Sequence, residues 1–416
     1  MKQSSEIKNI NAALFNAIAE NNLTAVALLL DQGASLYDYN EEKLTPLMVA
    51  AKYGYCDMIQ LLVSKGANLY QTTQLPENYC LRWAEHIAEQ YNHPNAHLLL
   101  SSIRGKQSFQ YYRYARALKT NDWDNLQRVL FSDSDYNVNA QSENEGKTIL
   151  MSAANSASFK IVQNLLNVNA DINRKDTHLR TALHLVVFNN NGSFVAQESR
   201  HLDTPKNDFY QSCNRYYIVK TLVENGADVN AQDFEGNTPL HLFLYKKEYD
   251  IALFLLEHQA NINLKNWTDN TPLSIAASIG WIEGVKKILS MGASIDEPTC
   301  EQKTALQWAY LCKQYEMIDF LIEQGSNVDL PLKDGKTLLR FAVDSYDTVL
   351  VEKLLKAGAN PNKADRYGKT PLYWAHMRDD ANILRLMKQY QSHATPTAHR
   401  NNASLNLTQT NTHSIA

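Results

Sequence analysis

A threonine returns through this sequence at a near-constant interval. In segments that read Thr-x-Leu it stands at Thr148, Thr181, Thr238, Thr271, Thr304, Thr337 and Thr370. The successive intervals are 33, 57, 33, 33, 33 and 33 residues, and the long one is one period plus 24 extra residues. An earlier copy at Thr45 lies 103 residues before Thr148, close to three further periods. A chain of 416 residues would otherwise suggest two or three compact domains. Self-similarity on this scale points instead to stacked supersecondary units sharing one continuous core.

The chemistry around each threonine explains the period. Gly236-Asn237-Thr238-Pro239-Leu240-His241 and Gly368-Lys369-Thr370-Pro371-Leu372 are two copies of the opening. Proline after threonine starts a helix, where its missing N–H and fixed φ cost nothing. Small pairs follow, such as Ala50-Ala51 and Ala276-Ala277, and let that helix lie close to its neighbour. Leucine pairs such as Leu165-Leu166 and Leu354-Leu355 then mark a second, antiparallel helix. Gly226-Ala227-Asp228-Val229-Asn230 and Gly358-Ala359-Asn360-Pro361-Asn362 close it, with glycine taking the left-handed conformation.

With Thr-Pro-Leu-His intact at Thr238 to His241, the sequence resembles the ankyrin-repeat family. The resemblance covers about residues 8 to 390 and implies an all-α solenoid of about eleven helix-turn-helix units with short β-hairpin fingers. The units begin near Ala12, Thr45, Tyr79, Tyr112 and Thr148 and continue to Thr370. The first lacks a leading turn and the last lacks a closing Gly-Ala, as capping units should.

Two places break the pattern. The third unit runs almost directly into the fourth, so a bend or sub-array boundary is expected near Arg104 to Ser108. This divides the chain into an N-terminal set of repeats over 1–103 and a main array over 104–390. The 24 extra residues form an insertion at about 190–213, between the two helices of the sixth unit. After Tyr390 the composition turns to Ser, Thr, Asn, Ala and His with no acid, which predicts a disordered tail over 391–416.

Charge excludes several functions. The net charge is −4 at neutral pH and the isoelectric point near 6.3, which is no footprint of a nucleic-acid binder. The longest early apolar run, Ala25 to Leu30, is too short to span a bilayer. Five scattered cysteines, an odd number, read as free thiols of a reducing cytoplasm. The expectation is a monomer with no cofactor, no metal, no nucleic acid and no membrane insertion.

Catalytic candidates weigh little against structural readings. Gly-Lys-Thr triplets at 146–148, 335–337 and 368–370 lack the glycine that a phosphate loop needs upstream, and read as turns. His184 and His241 read as ties between adjacent turns. Trp83, Trp308, Phe341 and Trp374 fall four residues after the threonine position and read as core. His201, Asp203, Asp208 and Cys213 group within the insertion, and carry the alternative of a thiol-dependent hydrolase or transferase with the repeats as substrate adaptor.

The main expectation follows from the resemblance: a non-enzymatic module that binds a protein through its concave face and finger tips. Positions that face the partner in ankyrin arrays hold Tyr53, Phe188, Phe234, Tyr245, Lys246, Trp267, Ile279, Tyr367 and Arg378. Aromatic and arginine side chains are the types that anchor interfaces. Asn173 and Asn230 match the family's asparagine hydroxylation pattern, beside the ordinary role of capping a turn. The 40 asparagines, the eccentric repeats and the tail resemble bacterial ankyrin effectors delivered by type IV secretion into a host cytosol. The partner would then be a host protein and 391–416 the secretion signal.

Overall fold

The computed structural model describes residues 2–73, 83–119, 122–132, 136–188 and 208–391. They form 21 α-helices and one 3₁₀ turn, with no strand among the described residues. The first repeat pairs α1 (Lys2–Ala19) with α2 (Leu23–Asp31), and the second pairs α3 (Pro46–Tyr53) with α4 (Cys56–Ser64). α5 (Ala84–Gln90), α6 (Pro94–Leu118) and α7 (Trp123–Leu130) make the third and fourth. The fifth is α8 (Ile149–Asn155) with α9 (Phe159–Asn167). The sixth joins α10 (Ala182–Leu185) and a 3₁₀ turn, Val186–Phe188, to α11 (Asp208–Glu224). The seventh and eighth are α12 (Pro239–Tyr245) with α13 (Tyr249–Glu257), and α14 (Pro272–Ser278) with α15 (Ile282–Ser290). The last three are α16 (Ala305–Leu311) with α17 (Tyr315–Glu323), α18 (Leu338–Asp344) with α19 (Thr348–Lys356), and α20 (Pro371–Met377) with α21 (Ala381–Gln391). The first eight repeats fall in one compact unit, Met1–Ala293, and the last three in another, Ser294–Ala416.

The recurrent residues do what their chemistry predicts. Thr45, Thr148, Thr238, Thr271, Thr337 and Thr370 are N-caps in extended conformation, their hydroxyl oxygens accepting the amide three residues on. Second helices end on a left-handed glycine, as at Gly226 (φ 91°), with Ala227 N donating to Leu222 O at 3.0 Å. Asn169 and Gln259 take the same conformation without being glycine. The alanine and leucine pairs fill the space between repeats, with Ala50, Ala51, Leu165, Ala276, Ala277 and Leu354 fully buried.

Fingers are turns and not paired strands. Asp233 N donates to Asn237 O at 2.9 Å, and no second ladder bond follows. The Asp233 carboxylate instead accepts from the amides of Glu235 (3.0 Å) and Asn237 (2.7 Å), doing within one finger what a partner strand would do. The expected repeats are present, while the β-hairpin fingers reduce to side-chain-capped turns among the described residues.

The break expected at Arg104 to Ser108 falls inside α6, which runs unbroken for 25 residues. Its first half packs on α5 as the second helix of repeat three, and its second half packs on α7 as the first helix of repeat four. Neither a cap threonine nor a closing Gly-Ala interrupts it, and Gly105 alone costs about 1 kcal/mol. The 103/104 division is therefore no break in the chain's path, although a core cluster does extend from Leu14 to Leu100 with Ile103 packed on it.

Because no finger separates repeats three and four, distant turns meet. Asn68 Nδ2 donates to Lys175 O at 3.3 Å, and Lys175 N donates to the Tyr37 hydroxyl at 3.3 Å. Tyr37 in turn donates to Gly66 O at 3.1 Å. Stacked helices sit about 8–10 Å apart, so partners four repeats apart in an ordinary stack would lie about 32–40 Å from each other. The second and sixth repeats are clasped together.

The insertion overlaps a helix. Its last six residues, 208–213, already belong to α11, which is 17 residues long. The rest of it, with His201 and Asp203, lies outside the described residues, as does the tail beyond 391.

Candidate protein-interaction surface

Fingers and first helices face each other across a groove. In repeat two, Lys52 Nζ on α3 reaches Glu42 Oε2 on the finger at 2.7 Å. Hydrogen bonding to Glu42 raises the Lys52 pKa above its ordinary value. In repeat seven, the Tyr245 hydroxyl accepts from Asn266 Nδ2 at 3.2 Å and Asn270 Nδ2 at 3.4 Å in the next finger. The residue seven places after the cap threonine and the residues one to five before a cap threonine thus share one surface.

Backbone bonds fix finger to finger. Thr177 N donates to Glu145 O at 2.9 Å, Phe234 N to His178 O at 2.8 Å, and Trp267 N to Glu235 O at 2.9 Å. These bonds set Phe234 and Trp267 side by side, ring centroids 4.6 Å apart and edge to face. They remain 40% and 62% exposed, an arrangement that a folded chain does not need for its own core. Gly236 (φ 73°) permits the approach, since a Cβ there would stand 3.1 Å from Asn266 Cα. Beneath the pair a cleft of about 520 Å³ opens toward Tyr37, Tyr39 and Lys175. Burial holds the Lys175 ammonium below its usual pKa, opposed by the charges of Asp228, Asp38 and Asp233.

Of the nine expected partner-facing residues, Phe234, Tyr245 and Trp267 come together here. Lys246 is exposed at the end of α12, and Ile279 is half-buried at the end of α14. Phe188 closes the 3₁₀ turn with the Arg180 guanidinium 5.6 Å above its ring. Tyr53 borders a separate cleft of about 680 Å³ with Phe15, Asp38 and Glu42, and stacks on Tyr55 at 5.5 Å. Tyr367 and Arg378 belong to the other compact unit. Tyr367 is 73% exposed on a finger, whereas Arg378 is held by Asp344 at 2.7 Å and lies 5.1 Å over the Tyr346 ring.

The aromatics expected as core correct the sequence reading. Trp83, Trp308, Phe341 and Trp374 are half-buried, and each carries a cation on its ring face. Arg104 stands 5.0 Å from Trp83, Lys303 4.5 Å from Trp308, Lys336 5.7 Å from Phe341, and Arg340 4.1 Å from Trp374. The same position holds buried Val49, Leu185, Leu242 and Ile275 in other repeats, so it is the large aromatic rings that extend from the stack to meet a cation. Lys369 adds a further pair, 4.1 Å from the Tyr373 ring. Sequence reasoning passed over these lysines because two of them belong to Gly-Lys-Thr triplets dismissed as turns. The available signal was a lysine at 303, 336 and 369, each followed within five residues by an aromatic.

The histidines are structural. Thr238 N donates to His241 Nδ1 at 3.2 Å, and His241 Nε2 lies 3.0 Å from Asn270 O in the next finger. His184 makes the same link to Asn237 O at 3.2 Å. Burial holds both neutral, with pKa values lowered to about 3 for His184 and about 4 for His241. Asn173 and Asn230 tie successive turns: Asn230 Oδ1 accepts from Asn261 N at 2.7 Å while Nδ2 donates to Gln259 O at 3.2 Å. Asn173 does likewise with Asp228 N at 2.8 Å and Gly226 O at 3.0 Å. Both side-chain atoms are thus engaged, which is the capping role. Among the described residues no three His, Cys, Asp or Glu gather as metal ligands. No helix among them is long and apolar enough to cross a membrane.

Known proteins place this geometry. A family model of ankyrin repeats in three copies matches residues 2–73, 115–197 and 263–334, and a second ankyrin-repeat model matches 222–295. The poly(ADP-ribose) polymerase tankyrase of Caenorhabditis elegans is 28% identical over 285 residues, covering 56% of this chain and 12% of that protein. A putative ankyrin repeat protein of Rickettsia bellii is 28% identical over 140 residues, 32% of this chain and 20% of its own. Human protein phosphatase 1 regulatory subunit 27 is 40% identical over 57 residues, 14% of this chain and 37% of its own. The chain thus spans well under two thirds of each of these relatives. The family models cover more than half of the sequence, and the chain belongs to the ankyrin-repeat family.

Proposed function

We infer that the protein recognises a protein partner on the finger tips of repeats six to eight, with Phe234 and Trp267 as its anchor. The observation that carries this reading is an exposed, edge-to-face aromatic pair held rigid by backbone bonds between fingers. Rigid aromatics lose little rotamer entropy on binding, so they convert buried area into affinity efficiently. The fold supplies shape and no chemistry of its own, in line with a binding role. The asparagine-rich composition and the similarity to the Rickettsia bellii protein support the finer reading: a translocated bacterial effector that acts on a host protein, with 391–416 as its secretion signal.

The test is affinity capture from host-cell lysate with wild type beside a Phe234→Ala/Trp267→Ala variant, followed by titration of the recovered partner. The reading requires a single saturable partner whose affinity falls at least tenfold in the variant, with an unchanged melting temperature. Equal affinity refutes the anchor. Translocation that survives deletion of 391–416 refutes the signal.

A further inference from the structure

Lys303, Lys336 and Lys369 stand in one register, each immediately before a cap threonine and one period apart. Their ammonium groups sit 4.5, 5.7 and 4.1 Å from the rings of Trp308, Phe341 and Tyr373. Each lysine is half-buried, its stem against the ring and its head at the groove. The finger positions Lys333 and Arg366 add two exposed cations. The acids that share the groove are already engaged: Glu301 with Lys303, Asp334 with Lys336 at 2.8 Å, and Asp344 with Arg340 and Arg378. An ammonium has three donors, so each such lysine can take a further acceptor, and exposed pairs of this kind contribute little that a second carboxylate would have to displace. In the unit Met1–Ala293 the same register holds Leu44, Asn237 and Asn270 in three of five copies.

Spacing decides what fits this column. Stacked helices repeat at about 8–10 Å, so the ammonium groups recur at that interval. A polyproline II segment has three residues per turn and rises about 3.1 Å per residue, which returns the same face every ~9.3 Å. A β-strand returns the same face every ~6.6 Å and falls out of register. An α-helix presents one face every ~10.5 Å over seven residues, but its girth of about 10–12 Å keeps its backbone away from rings at the finger base. Aromatic-lined grooves are also what polyproline II segments dock on.

We propose that the groove of repeats nine to eleven binds an acidic polyproline II segment that carries a carboxylate at every third residue. Each carboxylate meets one lysine of the column, and the intervening prolines lie on Trp308, Phe341 and Tyr373. This rests on the reading of the chain as a protein-recognition array and names the chemistry of a segment bound in its second compact unit.

The test is fluorescence anisotropy of the whole chain with a labelled (Glu-Pro-Pro)4 peptide. The comparison is a peptide of identical composition with its four glutamates contiguous, and a helical peptide with glutamate every seventh residue. The (Glu-Pro-Pro)4 peptide should bind at least tenfold more tightly than either. Lys336→Gln should weaken it about tenfold and Lys336→Arg should leave it within twofold, because charge at that point is what counts. The Lys303→Gln/Lys336→Gln/Lys369→Gln variant should not bind. Trp267→Ala should bind as wild type does, so this proposal and the Phe234–Trp267 anchor fail separately. Equal affinity for the contiguous peptide, tighter binding of the helical one, or no binding of (Glu-Pro-Pro)4 at all overturns the proposal. The peptide comparison needs no variant and holds whatever the lysine substitutions do to folding.

Discussion

Asn68 and Lys175, 107 residues apart, are joined side chain to backbone at 3.3 Å. The same Lys175 carbonyl also accepts from Gln141 Nε2 at 3.3 Å, so one oxygen ties the second repeat to the fifth and sixth. Asn68 is 3% exposed and its Oδ1 accepts the Tyr70 amide at 2.8 Å.

Asn68→Ala should therefore lower the unfolding free energy by about 1–3 kcal/mol, the cost of leaving buried polar groups without partners. Hydrogen exchange should quicken at Lys175 as well as near residue 70. Faster exchange confined to residues 66–73 would show that the clasp carries no energy.

Acid should weaken the fold through its histidines. His184 and His241 are held neutral with pKa values of about 3 and about 4, against 6.5 when unperturbed. Between pH 6.5 and 4 the unfolded chain binds two protons that the folded chain refuses. Stability is complete above pH 6.5 and falls with decreasing pH across that window, by about 1.4 kcal/mol per pH unit for each histidine. Gln307 occupies the same register in repeat nine and also bonds to the backbone of the next turn, at a different carbonyl, Nε2 donating to Leu330 O at 2.6 Å. His184→Gln/His241→Gln should thus fold and should flatten the dependence of the urea midpoint on pH between 7 and 5. An unchanged slope would assign the acid sensitivity elsewhere.

Asparagine at 230 should outperform aspartate. Asn230→Asp keeps the acceptor for Asn261 N and loses the donor to Gln259 O, while Asn230→Ala loses both. Chemical denaturation should rank the three as wild type above aspartate above alanine, with the extremes about 2 kcal/mol apart. Alanine equal to wild type would deny the tie any weight.

Two glycines with similar backbones should respond differently. Gly358 has φ 91° and open space at its Cβ position, so Gly358→Ala should cost about 1–2 kcal/mol of left-handed strain. Gly335 has φ 82° and a Cβ there would stand 2.6 Å from Arg366 N, whose amide bonds to Asp334 O at 3.2 Å. Gly335→Ala should cost visibly more in thermal melts and break that finger-to-finger bond. Equal costs would mean that the finger yields freely.

The repeat, its caps and its fold were legible because most copies state the same local rules: a threonine cap, often a proline start, and usually a left-handed glycine stop. What was not legible depends on neighbours. Trp308 and Trp374 look like core on a helical wheel, yet Lys303 from the finger base covers the first and Arg340 from α18 of the preceding repeat covers the second. The continuity of α6 could not be read because the segment lacks start and stop signals, and their lack fits a loop as well as a longer helix. Phe234 and Trp267 were found together because they share register in adjacent repeats, and Tyr245 because the seventh position after the cap faces the next finger. Tyr53 was expected to face the partner from the second repeat, and it borders a cleft other than the one beneath Phe234 and Trp267.

The continuous α6 sets a limit on how this array can be edited. Elsewhere a whole period can be removed or duplicated and the flanking helices still meet equivalent neighbours. Across Pro94–Leu118 there is no seam at which to cut, since one rod serves as the end of repeat three and the start of repeat four. The chain is modular on either side of that helix and indivisible through it.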